Sequence, residues 1–172
     1  KFILFCGSYK YKPNYDAINI LVNKIMPNLI KTFPELKLVL TGGEINFERK
    51  WLINLGTVQK NKMIHALNNC ICTVIPILEG YGSRIKIIEA LMLGVVVITT
   101  KKGIEGIDYD KKKQPPFVTN NIDELVKVTE KVIKMKNVKA KSLLIKKNFQ
   151  SQYSMELMAK KFYKHINKKL SV

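Results

Sequence analysis

Pro76 to Gly94, PILEGYGSRIKIIEALMLG, decides how the rest of the chain is read. It follows an apolar run from Cys70 to Pro76, short and β-branched enough for a buried strand. The chain then breaks at Gly80-Tyr81-Gly82 and restarts as a helix with apolar residues at Ile85, Ile88, Leu91 and Met92. A strand, a glycine turn and a helix start together bind anions. The N–H groups of a first helical turn have no intrahelical acceptor, the helix dipole favours negative charge, and glycine lets the backbone approach closely. Ser83 is the expected N-cap, and Arg84 and Lys86 place full positive charges beside the turn. Glu89 lies seven residues past Gly82, about two helical turns in, where a carboxylate accepts hydrogen bonds from a diol such as ribose. An ordinary α/β turn with a solvated arginine and glutamate has the same local sequence.

The same stretch, with Gly94-Val-Val-Val-Ile-Thr-Thr100 and Gly103-Ile-Glu-Gly106 after it, resembles the donor-binding half of the group 1 (family 4-like) retaining glycosyltransferases. Those enzymes face two Rossmann-like domains in the GT-B fold. Their signature brackets a glycine turn with two glutamates that have seven residues between them, followed by an alanine and then a glycine. Glu89-Ala90 and Gly94 match, whereas nine residues separate Glu79 from Glu89. One branch reads Gly-x-Gly-x-Arg-x-Lys before the second glutamate, as do Gly80, Gly82, Arg84 and Lys86. The resemblance implies Glu89 as ribose ligand and Glu79, Gly80, Tyr81, Gly82 and Ser83 around the donor sugar and diphosphate. Arg84 and Lys86 are implied as the catalytic cations on the leaving diphosphate. The first strand-to-helix turn, Gly7-Ser8-Tyr9-Lys10-Tyr11-Lys12-Pro13-Asn14, resembles the Pro-Asn version of the branch. It adds Gly7, Ser8 and Lys10 to the diphosphate side, with Lys12 a further candidate; either lysine also reads as a solvated surface residue. Thr57 and Val58, after a short third strand, are the base-binding candidates, and a plain turn reads the same.

Bulk properties bound this reading. A chain of 172 residues suits one domain with a real core, and no apolar run is long enough to span a bilayer. It opens on a strand-like run without methionine, which reads as one half of a two-domain enzyme whose N-terminal acceptor domain lies elsewhere. Cys6, Cys70 and Cys72 are odd in number and lack metal-ligand spacing, so reduced core thiols in a cytoplasmic protein are expected. Cys70 and Cys72, two apart, are expected on one face of a strand.

The net charge is +17, but only Arg49 and Arg84 among the 30 basic residues are arginine. Readers of nucleic acid favour arginine forks, so no specific nucleic-acid site is expected. From Lys127 to Val172, 13 lysines face two glutamates, a local net of +11 away from the glycine turn. Compositional bias on solvated helices is the first reading of that excess, and contact with an anionic membrane at its inner face is the second.

In chain order, strands are expected at Phe2–Cys6, Leu36–Thr41, Trp51–Leu55, Cys70–Pro76, Val95–Ile98 and Phe117–Val118. Helices fill Pro13 to Lys31, Lys60 to Asn68, Ile122 to Lys136, Lys139 to Asn148 and Ser154 to Leu170. Thr99 and Thr100 stand at a strand's carboxyl edge, where ligands bind in such sheets. Residues 101–116 read as a loop. Its Asp108-Tyr109-Asp110 precedes Lys111-Lys112-Lys113, whose charge repels a divalent ion, so no metal is expected. His65 and His165 receive no catalytic role.

The expectation is an α/β, Rossmann-like three-layer sandwich around a parallel sheet. By the resemblance it binds a UDP-, GDP- or ADP-sugar, without cofactor, for transfer to a glycan or lipid-linked acceptor held by the other domain. In two-domain relatives the final helix crosses back to that domain. A nucleotide-sugar epimerase of the same fold, or a basic module for anionic membrane or nucleic acid, are the alternatives.

Overall fold

Short β-branched runs alternate with longer amphipathic ones, and a chain of that kind buries both only by stacking helices on a parallel sheet. The computed structural model describes residues 1–82, 84–110, 116–136 and 138–170. The order is β1 (Phe2–Cys6), α1 (Lys12–Ile20), α2 (Met26–Thr32), β2 (Lys37–Thr41), β3 (Leu52–Asn54), α3 (Lys60–Asn69), β4 (Thr73–Ile75), α4 (Ile85–Met92), β5 (Val97–Thr99), α5 (Lys101–Ile104), β6 (Phe117–Val118), α6 (Ile122–Lys134), α7 (Val138–Tyr153) and α8 (Met155–Leu170). All six strands are parallel, in the order β3-β2-β1-β4-β5-β6. The chain builds outward from β1 on one side, then crosses to build the other from β4. The carboxyl ends of β1 and β4 therefore splay around a crevice, the place where such sheets bind ligands.

Ile3, Leu4 and Phe5 of β1 and Leu38 and Leu40 of β2 have no solvent exposure, as expected of strands covered on both faces. The segment Leu21–Ile25 between α1 and α2 packs, with α2, against α6, Thr32 donating to Glu130 at 3.2 Å, while α4 packs against α7. Gly94 makes the second contact close: a Cβ there would lie 2.4 Å from the Ser142 carbonyl oxygen.

Several boundaries differ from expectation for local reasons. The first helix is not continuous. Pro27 has no N–H to donate, and its ring would meet the carbonyl four residues back, so the backbone widens into a π turn at Leu21–Ile25. The fourth strand is shorter than its apolar run, because Cys70 is already the C-cap of α3. Cys70 and Cys72 therefore do not share a strand face; Cys72 is fully buried and Cys70 is not. α4 begins at Ile85 with Arg84 at its N-cap position, and Ser83 lies outside the described residues. Its buried face is Ile87, Ala90 and Leu91, while Ile85 is exposed. Residues 101–116 are not all loop: the Thr100 hydroxyl caps α5 by accepting from Gly103 N–H at 3.0 Å. α7 runs on to Tyr153, and Ser154 caps α8 through Leu157 N–H at 3.2 Å.

Candidate functional site

Three segments meet at the crevice: the turn after β1, the glycine turn before α4, and the carboxyl ends of β4 and β5. Gly80 (φ 107°) and Gly82 (φ 101°) lie in the left-handed region that L side chains avoid. A Cβ at Gly80 would sit 2.5 Å from the Tyr11 hydroxyl. That hydroxyl fixes the turn, accepting from Tyr81 N–H at 3.0 Å and donating to the Tyr81 carbonyl at 2.9 Å. The Tyr81 ring projects outward, 88% exposed, with the Lys102 ammonium 5.1 Å from its centroid. Tyr11 carries none of the expected motif, and sequence reasoning passed over it.

Arg84 and Lys86 sit differently. Arg84 is 7% exposed and turned toward protein acceptors. Its Nε donates to the Lys102 carbonyl at 3.1 Å and its Nη2 to the Gly80 carbonyl at 3.3 Å, with Glu105 at 3.7 Å. It therefore ties the glycine turn to α5 while lining a cavity of about 130 Å³ with Tyr11, Asn14, Ile77, Tyr81 and Lys86. Lys86 reaches back over β1. Its Nζ lies 4.9 Å from the Phe5 ring centroid and donates to Asn14 Oδ1. Burial draws the ammonium down to about 8; Cys6 opposes that shift and Arg84 adds to it.

Gly7 and Ser8 belong to the same junction. A Cβ on Gly7 would lie 2.6 Å from Lys86 Nζ, and the Ser8 carbonyl accepts from Asn14 Nδ2 at 2.8 Å. Lys10 and Ser8 are exposed and line an adjoining hollow of about 690 Å³ with Tyr9, Gly42, Gly43 and Thr57. Tyr9 donates to Asn54 Oδ1 at 3.1 Å, and Asn54 donates to the Gly43 carbonyl at 3.1 Å, joining the loops after β1, β2 and β3. Glu79 is exposed on the approach to Gly80.

Glu89 stands where two spaces join. With Lys86, Cys6, Thr73 and Ile75 it lines a small cavity of about 40 Å³, into which opens a buried Thr73 hydroxyl with no partner among the described residues. With Val58, Met63, Ile64, Leu67 and Met92 it borders a mainly apolar groove of about 420 Å³. Val58 and Thr57 are thus divided between two hollows. The α3 wall of the groove was not expected, because Met63, Ile64 and Leu67 read as ordinary helix periodicity. Cys6 is also drawn in; burial pushes its thiol up to about 11, so it stays protonated.

Thr99 and Thr100 stand at the carboxyl edge of the sheet, as expected, but turn their hydroxyls to the backbone. Both are fully buried, and their hydroxyls donate to the Ile75 and Ile77 carbonyls, bracing β5 to the end of β4. Asp108 is held through its backbone by the Tyr153 hydroxyl at 2.7 and 2.8 Å. No metal-binding group of three His, Cys, Asp or Glu occurs among the described residues, and Lys111 to Lys113 lie outside them. Among the described residues no helix is long and apolar enough to cross a membrane.

A family model described as glycosyl transferases group 1 matches residues 1–135. The chain belongs to that family. Its six-stranded sheet and helical layers match GT-B glycosyltransferase domains. A Klebsiella pneumoniae relative, described as an uncharacterized 44.6 kDa protein in the cps region, is 26% identical over 148 residues, covering 79% of this chain and 36% of its own. Sucrose-phosphate synthase from Thermosynechococcus elongatus superposes with a TM-score of 0.75 at 14% identity, over 99% of this chain and 45% of that one. A TarM variant from S. aureus, solved with Fondaparinux, alpha-GlcNAc-glycerol and UDP, gives 0.74 at 16% identity, over 95% of this chain and 35% of that one. The chain thus spans a third to a half of the length of these proteins.

Proposed function

We propose that this chain is the donor domain of a retaining, family 4-like glycosyltransferase, binding a nucleoside diphosphate sugar in the crevice between β1 and β4. The observation that carries the reading is the position of Glu89. It borders both the Lys86 cavity and the apolar groove beside Val58. A nucleoside diphosphate has that order of parts: anion, ribose diol, flat apolar base. Membership of a transferase family favours transfer over epimerisation. UDP in the TarM complex supports UDP as the first probe.

The chemistry follows from charge. As the glycosidic bond breaks, negative charge grows on the departing diphosphate, and donors already aimed there stabilise the transition state more than the ground state. Lys86 supplies a desolvated cation, and the free N–H groups at the start of α4 supply fixed dipoles. Arg84 holds the glycine turn and contributes its charge from the cavity wall. Gly7, Ser8 and Lys10 close the far side, Glu79 and Tyr81 lie toward the sugar, Val58 lies toward the base, and Thr57 borders the neighbouring hollow beside it. No metal takes part in this scheme. The acceptor, a glycan or lipid-linked group, is held by a second domain, to which α8 docks through its exposed Met158, Phe162 and Tyr163.

Calorimetry of the 172-residue chain with UDP, GDP and ADP, with and without EDTA, tests the reading. One of the three is expected to bind in either condition, while a supplied nucleotide sugar and acceptor yield no product. Binding of none would overturn the donor site, and binding abolished by EDTA but restored by magnesium or manganese would overturn the metal-free scheme.

A further inference from the structure

Lys86 brings a positive charge into a confined space, and the group that meets it there is a neutral amide. Asn14, in the first turn of α1, is 5% exposed and uses both ends of its side chain. Nδ2 donates to the Ser8 carbonyl at 2.8 Å, and Oδ1 accepts from Lys86 Nζ. The lysine is hemmed in on its other sides by the Phe5 ring and by Gly7, where a Cβ would come within 2.6 Å of Nζ and 2.8 Å of Asn14 Nδ2. An ammonium has three protons to give. One is spent on Asn14, and the cavity shared with Tyr11, Tyr81 and Arg84 is open to the rest.

Two features distinguish this arrangement from ordinary turn-making. The chain packs a lysine where it is costly to bury one, and among the described residues Lys86 forms no salt bridge to offset that. An aspartate at position 14 would have the same shape and would cancel the charge; the amide accepts one hydrogen bond and leaves the full charge for an incoming anion. We infer that Asn14 is a positioning residue of the donor site, aiming the Lys86 ammonium at the ligand's phosphates without neutralising it. This rests on the donor-site reading above. It assigns the β1–α1 turn an indirect part in phosphate binding, through an asparagine that itself need not touch the ligand.

The titratable groups facing Lys86 are Cys6 from β1, Tyr11 from the turn before α1, and Arg84 and Glu89 flanking it on α4. None is a carboxylate paired with it, so Asn14 meets an ammonium that burial and Arg84 weaken but that no carboxylate cancels.

The test titrates UDP and uridine into the wild-type chain and into Asn14→Ala, Asn14→Asp, Lys86→Ala and the Asn14→Ala/Lys86→Ala double variant, across pH 6.5 to 9.5. Thermal unfolding is followed in parallel. Asn14→Ala is expected to weaken UDP about tenfold and uridine less than about twofold, with no further loss when Lys86 is already alanine. Asn14→Asp is expected to weaken UDP by about tenfold or more at pH 7.5 and to move the pH at which affinity declines upward from its wild-type value. Asn14→Ser serves in place of the alanine variant should that one not fold. Equal losses with and without Lys86, or parallel losses for UDP and uridine, would reduce Asn14 to a turn-shaping residue and overturn the inference. A wild type that binds UDP while Asn14→Asp binds it as tightly would do the same and leave the donor site standing. A wild type that binds no nucleoside diphosphate at all would remove the donor site and this inference with it.

Discussion

Lys86 is the residue at which stability and function pull apart. Its ordinary pKa is 10.5 and burial lowers it to about 8, so between those values the unfolded chain binds a proton that the folded chain lacks. Folding stability contributed by this group therefore rises with pH through that window, by up to about 3 kcal/mol at 1.36 kcal/mol per unit. Chemical denaturation of wild type and Lys86→Met at pH 7, 8 and 10 is expected to show wild type gaining relative to the variant as pH rises; an unchanged difference would mean an ordinary, solvated lysine. UDP binding should run the other way, because the diphosphate prefers the protonated form, and its affinity should fall by up to about tenfold per pH unit above 8. Arg84 and Glu89 are expected to separate on the same ligand. Arg84→Ala should weaken nucleoside diphosphates by about 1.5–3 kcal/mol and bare nucleosides little. It should also lower the melting temperature, since the Gly80 and Lys102 carbonyls lose their donor. Glu89→Ala should weaken UDP and uridine alike and leave melting unchanged, because Glu89 is exposed. Equal losses for every ligand from both would point to a damaged helix start instead.

Between elements, the Tyr11 hydroxyl does for the glycine turn what a helix cap does for a helix. It satisfies an N–H and a carbonyl of Tyr81 across the crevice, 70 residues away in the chain. Tyr11→Phe should cost about 0.5–1.5 kcal/mol of stability and reduce UDP affinity, since the turn must then find its shape on binding. Gly80→Ala should do more damage, combining a positive φ with a collision against Tyr11 and Pro13. If both variants bound UDP as wild type does, the turn would not be part of the site. The π turn ahead of Pro27 makes a related point: a single residue's missing donor sets where an element widens.

Across the whole molecule, charge and chemistry are separated. The crevice is lined by few cations, whereas the 13 lysines from Lys127 onward lie on the last helices and the turns joining them. Binding of the chain to random-sequence DNA should be weak, roughly 10⁻⁴–10⁻⁶ M near physiological salt, and should fall steeply as salt rises. A complex that prefers one sequence and survives high salt would contradict this. The parallel sheet was legible in advance because continuous β-branched runs such as Val95–Ile98 have no other favourable use than burial on both faces. Glu89, Lys86, Gly80 and Gly82 were legible as candidates because a glycine turn before a helix has a local chemistry readable from spacing. Tyr11, Asn14, Met63 and Arg84's inward hydrogen bonds were not. Tyr11 and Asn14 meet Tyr81 and Lys86 from beyond the crossing to β4, Met63 meets the Thr41 hydroxyl of β2, and Arg84 reaches the Lys102 carbonyl beyond β5 as well as the nearby Gly80 carbonyl.

The sequence by itself therefore determined the class of fold, most of the succession of its elements and the segment that is the candidate for anion binding, because periodicity and backbone preference act over a few residues. Only the tertiary structure decided how each cation meets the cavity they share. Two positive charges two residues apart on one helix start were equivalent in the sequence. Packing turned Arg84 toward the Gly80 and Lys102 carbonyls and Glu105, and brought Lys86 against Phe5 and Asn14. Side-chain direction is settled by the acceptors and rings that other strands and loops place around it, so that distinction exists only once the sheet has formed.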